Sequence, residues 1–301
     1  MTGKDDRPSV DGLTFQQGDL SDPARWEALA ALLEDIFGID ITVLDQLGGP
    51  DPSSMAFGWF NRDNRLVANL SAFALPMMIN GRPVHAAGLQ SGAVLPEFRG
   101  RGLFRDVTKK ALAWCDTQGF EAVFLYTDKP ALYTQHSFTT LPQSRFSIDA
   151  SGTSSGASTL RLLNLGNTND LAFVQTMLAV RAPVSTRFAA VDQNRMFLLN
   201  SWFSDDIQLG YSPVLEAMIA WRQTADTLEI LDIVARKIPD LEAIIGEIGL
   251  PAHRIDVDFV PDRLSAKLEI SPDDNELELM MRGPETLRPD GPIRLPELAQ
   301  F

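Results

Sequence analysis

The sequence predicts a mixed α/β fold (α+β, helices on mixed sheets) in two consecutive domains. Three observations carry that expectation. The chain has 301 residues, which suits two domains of about 150 residues each. Between residues 55 and 95, β-rich segments alternate with turn signals. At residues 92–105 a strand runs through two glycines directly into an amphipathic helix.

Taken in order, a short strand is expected at 13–17, then a helix. Ser21-Asp22-Pro23 offers an N-cap and a first-turn proline, and Trp26, Leu29, Leu33, Ile36 and Phe37 form an apolar stripe that Gly38 ends. A three-strand meander follows. Asn61-Arg62-Asp63-Asn64 marks its first reversal and Asn80-Gly81, a type I′ signal, its second, so that the third strand covers about 84–95. From Gly102 to Gln118 the pattern is helical, with Gly119 as the stop. Leu103, Phe104, Val107, Ala111, Trp114 and Cys115 share a 120° arc at 100° per residue. Cys115 thus reads as a small buried hydrophobe, not a nucleophile. A strand at 122–126, a short helix at 130–135 and a strand region ending near Ile148 complete residues 1–150, the first domain.

Residues 151–159, Ser-Gly-Thr-Ser-Ser-Gly-Ala-Ser-Thr, read as a linker. In the second domain, 160–301, a helix is expected at 170–180, a strand pair at 217–223 and 227–235 joined at Ala225-Asp226, a helix at 240–248 and a strand at 254–260. The turn before that last helix, Ala235-Arg236-Lys237-Ile238-Pro239, contains no glycine.

Composition narrows the function classes. Lys+Arg 26 against Asp+Glu 40 gives a net charge of −14, which argues against nonspecific nucleic-acid binding. No apolar stretch reaches the ~20 residues of a membrane span. The N-terminal residues, Met1 to Arg7, carry charges with no apolar core behind them, so no secretory signal is expected and the cytoplasm is the default location. A single cysteine and three dispersed histidines, His85, His136 and His253, leave no set of residues for a metal centre.

Against this acidic background Arg99, Arg101, Arg105, Lys109 and Lys110 form a basic island, opposed within it by Asp106 alone. Glycines at 100 and 102 let the backbone approach a ligand closely. The first N–H groups of the following helix lack partners in their own helix and sit at its positive end. Together these features make a phosphate cradle. A nucleotide P-loop would need Gly-Lys-Ser/Thr, which is absent. A dinucleotide fingerprint would need a small residue at 105, which is arginine.

The segment resembles the acetyl-CoA motif of the GNAT superfamily of N-acetyltransferases, Arg/Gln-x-x-Gly-x-Gly/Ala. Arg99 and Gly102 match its first and fourth positions, and Phe104 replaces the last small residue. The order of elements over most of residues 10–148 is similar too. The resemblance implies acetyl-CoA as donor, with no metal. Gly92, Ala93 and Val94 would pair with the pantetheine amides, and the N–H groups of Gly100, Arg101, Gly102, Leu103, Phe104 and Arg105 would hold the pyrophosphate beside Arg99. The strand at 122–126 would splay away to leave a slot, flanked by Asp128 and Lys129. Ala131-Leu132-Tyr133-Thr134-Gln135-His136-Ser137-Phe138 resembles the family's Phe-Tyr-x-x-x-Gly-Phe helix, with Ser137 where glycine is usual. By that resemblance Tyr133 would protonate the departing thiolate.

At a finer level the chain resembles the enhanced-intracellular-survival branch. That implies a mixed-sheet GNAT acetyltransferase fold with two GNAT-like domains in tandem, the second degenerate. In that branch the carboxylate of a C-terminal phenylalanine serves as base, a role that would fall to Phe301. Glu97, Asp128 and His136 remain alternative bases. The acceptor would be a primary amine of a small molecule or peptide. A non-catalytic acyl-CoA-binding module, a protein-binding scaffold and a homo-oligomer stay open.

Overall fold

The computed structural model describes residues 9–10, 12–150 and 158–301. The expected N-terminal signal-free segment and residues 151–157 of the expected linker lie outside them. In chain order the first elements are β1 (Ser9–Val10), β2 (Leu13–Asp19), α1 (Pro23–Phe37), α2 (Leu44–Leu47), β3 (Met55–Phe60), β4 (Leu66–Ala74), β5 (Met77–Ile79), β6 (Arg82–Val84), β7 (Ala86–Val94), α3 (Leu103–Thr117), β8 (Ala122–Thr127), α4 (Ala131–Thr134), β9 (Thr139–Thr140) and β10 (Ser144–Asp149). There follow β11 (Arg161–Leu162), α5 (Thr168–Leu178), β12 (Phe188–Ala190), α6 (Asn194–Phe203), β13 (Gln208–Ser212), β14 (Ala217–Thr224), β15 (Thr227–Ala235), α7 (Leu241–Ile248), β16 (Arg254–Val257), β17 (Glu269–Pro272) and β18 (Glu278–Arg282).

These elements fall into two compact units. One comprises residues up to Ala74, His85–Leu125 and Phe301, and the other Leu75–Val84 and Tyr126–Gln300.

In the first unit β2, β3, β4 and β7 are antiparallel neighbours, and β7 pairs in parallel with β8. A parallel pair needs a crossover connection, and α3 supplies it. Local chemistry fixes the helix ends as expected. Asp22 caps α1 by accepting from the Ala24 N–H at 3.0 Å, and Gly38 ends it at φ 67°. Trp26, Leu29 and Leu33 are buried under α1, while Phe37 stays 52% exposed. On α3, Leu103, Val107, Ala111 and Cys115 are buried together with Thr108 and Leu112, so the buried face is wider than the sequence stripe. Asp106 draws Lys110 into an ion pair and accepts from Trp59 Nε1 at 2.9 Å. Lys110 is therefore committed to the protein, not to the basic island.

One expectation fails here. The Asn80-Gly81 turn does have both residues at positive φ, 50° and 77°, as a type I′ turn requires. It joins β5 to β6, not the second meander strand to the third, and β5 pairs on its other side with β12. The hairpin is an insertion. The true third strand, β7, begins after it and pairs directly with β4.

The second unit contains a seven-stranded sheet ordered β11-β13-β14-β15-β16-β10-β17. Here β10, expected to close the first domain, lies between β16 and β17 and pairs antiparallel with both. The expected strand at 254–260 ends at Val257. β15, α7 and β16 repeat the parallel crossover of β7, α3 and β8.

Candidate functional site

In the first unit, β7 stays paired with β8 from Ala86↔Ala122 to Leu89↔Leu125. Two residues further on, Ser91 and Gly92 together oppose the single residue Leu70 of β4, and Ser91 lies at φ 57°. Such a bulge bends and twists its strand. The bulge lies just beyond the last paired residues, where the slot was expected. Beyond it Ala93 and Val94 re-register with Asn69 and Ala68 of β4.

The chain then passes through a short turn of 3₁₀ helix, Pro96–Phe98, and extended Arg99 into Gly100 and Gly102, at φ 75° and 78°. A Cβ at either glycine would meet nothing within 4 Å, so backbone conformation, not crowding, calls for glycine there. Gly102 is the N-cap of α3 and offers no side chain to its first N–H groups. The first intrahelical bond is from Asp106 N–H to the Gly102 carbonyl at 3.1 Å. The N–H groups of Leu103, Phe104 and Arg105 have no carbonyl of their own helix to bond, and the dipole adds positive potential.

The basic side chains around this loop divide. Arg99 donates from Nε to the Val94 carbonyl at 3.2 Å, which ties the loop back to the end of β7. Arg101 donates to the Glu97 carbonyl at 3.0 Å and stacks on Phe98. Arg105 and Lys109 are exposed. Glu97 lies 3.6 Å from Arg65, so an ion pair already engages it. Phe104, in place of a small residue, rests its ring against β7: a Cβ on Gly92 would lie 3.2 Å from it. Phe301 packs edge-on against Phe73 of β4, with ring centroids 5.1 Å apart. A Cβ on Gly88 of β7 would lie 3.1 Å from the Phe301 ring.

In the second unit, Asp128 and Lys129 form an exposed ion pair at 3.0 Å, and the Lys129 hydrogen bond holds the Asp128 carboxyl below its ordinary pKa. Tyr133 is buried on α4, edge-on to Phe138. Burial, with the Asp128 charge as a smaller cause, pushes its phenol up to about 12. Ser137 adopts φ 65°, the left-handed conformation that explains why glycine suits this position. Ser137→Gly is expected to stabilise the fold by about 0.5 kcal/mol, because relief of the left-handed strain outweighs glycine's greater chain entropy. A rise of thermal midpoint checks this.

The second crossover offers no comparable cradle. Between β15 and α7 no glycine supplies positive φ. Past Ile230, the last residue paired with β16, that edge of β15 is covered by its own unit. Arg181 makes a bidentate pair with buried Asp232 at 2.8 and 2.6 Å and donates to the Ile233 carbonyl, and the Ala182 N–H bonds the Ala235 carbonyl. Arg181 and Asp232 do not stand out in the sequence, although an aspartate inside the apolar run 230–235 is a visible signal, and the Ser91 bulge has no local signal there.

Among the described residues no cluster of histidine, cysteine, aspartate and glutamate could hold a metal ion, and no helix is long and apolar enough to cross a membrane.

Residues 22–140 match the family described as acetyltransferase (GNAT) domain. No curated protein sequence matches the chain. Among solved structures, a GCN5-related N-acetyltransferase from Kribbella flavida aligns with 17% identity and TM-score 0.57, covering 91% of this chain and 72% of that one. A probable N-acyltransferase from Enterococcus faecalis V583 aligns with 15% identity and TM-score 0.58, over 90% and 72%. Eis1 from Mycobacterium abscessus aligns with 14% identity and TM-score 0.59, over 89% and 73%. The glycine loop and bulged strand thus lie inside the segment that matches the acetyltransferase (GNAT) domain model, and the fold of the chain is similar to that of the GCN5-related N-acetyltransferase from Kribbella flavida and of Eis1.

Proposed function

We propose that this chain moves an acetyl group from acetyl-CoA directly to a primary amine of a small molecule or peptide. One observation carries the reading: the paired left-handed glycines that deliver the chain from bulged β7 to the N-terminus of α3. Open space at both glycines, and first-turn N–H groups that have no carbonyl of their own helix to bond, fit a pyrophosphate. In this reading the N–H groups of Gly100, Arg101, Gly102, Leu103, Phe104 and Arg105 hold the pyrophosphate, with Arg99 bracing the loop. Gly92, Ala93 and Val94 offer backbone groups to the pantetheine arm, and Asp128 and Lys129 flank it. Bound acetyl-CoA supplies an activated thioester. Tyr133 holds the proton that the departing sulfur needs.

A screen of polyamines, aminoglycosides, amino acids and peptide N-termini, read by release of free CoA thiol, tests the activity. Tight acetyl-CoA binding with no turnover across the screen would leave a non-catalytic acyl-CoA-binding module.

We also place the donor in the first crossover alone. Arg181 and Ala182 already bond the edge of β15 where a second pantetheine would run. Calorimetric titration is expected to give a single CoA per chain, and two equivalent sites would refute this division.

A further inference from the structure

Asn69 is an amide in the middle of β4, an otherwise largely apolar strand, and it is fully buried. Its Nδ2 donates to the Ser91 carbonyl and to the Ser71 hydroxyl oxygen, both at 3.0 Å. Those two bonds use both amide hydrogens. Its Oδ1 is buried with no hydrogen-bond partner. A buried acceptor left unpaired is a standing penalty to folding, so stability alone does not account for an asparagine here. The bond to Ser91 does. Ser91 is a non-glycine residue held at φ 57°, a conformation that side chains disfavour, and its carbonyl is pinned there by the asparagine.

We propose that Asn69 is a positioning residue for the acyl donor: its side-chain amide locks the Ser91 bulge and so aims the backbone of Gly92, Ala93 and Val94 at the pantetheine arm. The proposal rests on the acetyl-CoA reading and names a residue that the reading itself does not require. Penalty and benefit are separate here. The orphaned oxygen weakens the fold, and the two N–H groups shape a strand that could otherwise relax toward regular pairing with β4.

The test uses the full chain. Asn69→Leu keeps similar volume and removes both the orphaned oxygen and the lock. Its thermal midpoint is expected to equal or exceed that of wild type, while calorimetric affinity for CoA falls about five- to ten-fold, the scale of one net hydrogen bond. Affinity for 3′-phosphoadenosine 5′-diphosphate, which has the pyrophosphate but no pantetheine, is expected to stay at the wild-type value. Adding Ser91→Gly to Asn69→Leu is expected to restore CoA affinity, because glycine adopts the left-handed conformation without a lock. CoA affinity within about two-fold of wild type in Asn69→Leu overturns the inference. So does an equal loss for both ligands, or a double variant that shows no recovery. A wild type that binds neither ligand overturns the acetyl-CoA reading, and the inference with it. Should the leucine variant fail to fold, Asn69→Ala carries the same comparison of the two ligands.

Discussion

Gly102→Glu is expected to abolish measurable acetyl-CoA binding, raising Kd by at least ~100-fold, a loss of about 2.7 kcal/mol or more. Gly102 is the N-cap of α3 at φ 78°, with open space where a Cβ would go. Two effects combine in this variant. Any L side chain at that φ is strained by about 1–2 kcal/mol. A carboxylate placed where the helix end favours anions also meets the pyrophosphate with like charge. Gly102→Ala separates the two. It carries the strain without the charge, so its affinity should fall by about thirty-fold at most. Isothermal titration of both variants reads the difference. Unchanged binding in Gly102→Glu would remove the loop from the donor site, and equal losses in the two would assign the effect to backbone distortion.

Tyr133→Phe is expected to lower kcat by about 100-fold, the usual scale of a positioned proton donor, while acetyl-CoA affinity stays nearly intact. The hydroxyl matters when charge develops on sulfur, not when the thioester binds. Retained ring packing against Phe138 should keep the fold unchanged. The pH profile adds an independent check. An acid must be protonated to act, so its contribution is full below its pKa and lost as pH rises through it. Burial holds Tyr133 up at about 12. Hence kcat should show no falling basic limb from this group across the neutral and mildly alkaline range. Equal turnover by wild type and variant would exclude Tyr133 as the acid.

Much of the fold was legible in the sequence because its signals are local. Asp22-Pro23 and Gly38 bound α1, Gly100 and Gly102 mark the left-handed turn into α3, and the stripe from Leu103 to Cys115 sets the buried side of that helix. Caps, left-handed glycines and helical periodicity act within a few residues, so no distant partner has to be known. The serine at 137 fits its left-handed site badly, and that too was readable as a departure from glycine.

Other features depended on partners far along the chain. Asn80-Gly81 dictated its own turn, but only the pairing of β5 with β12, more than a hundred residues later, made that hairpin an insertion instead of part of the meander. The same holds for β10, whose alternation suits any sheet and whose place between β16 and β17 comes from register with residues 254–257 and 269–272. Lys110 belongs to the basic island by sequence, and only the fold pairs it with Asp106 and sets it over the Trp59 ring. Asn69 and Asp232 are polar residues in largely apolar strands, and their partners, Ser91 and Arg181, are set by strand register and chain crossing. A side chain's chemistry is written in the sequence. Whether that chemistry is spent inside the protein or offered to a ligand is decided by long-range packing, because burial and hydrogen-bond satisfaction belong to the folded neighbourhood and not to the residue.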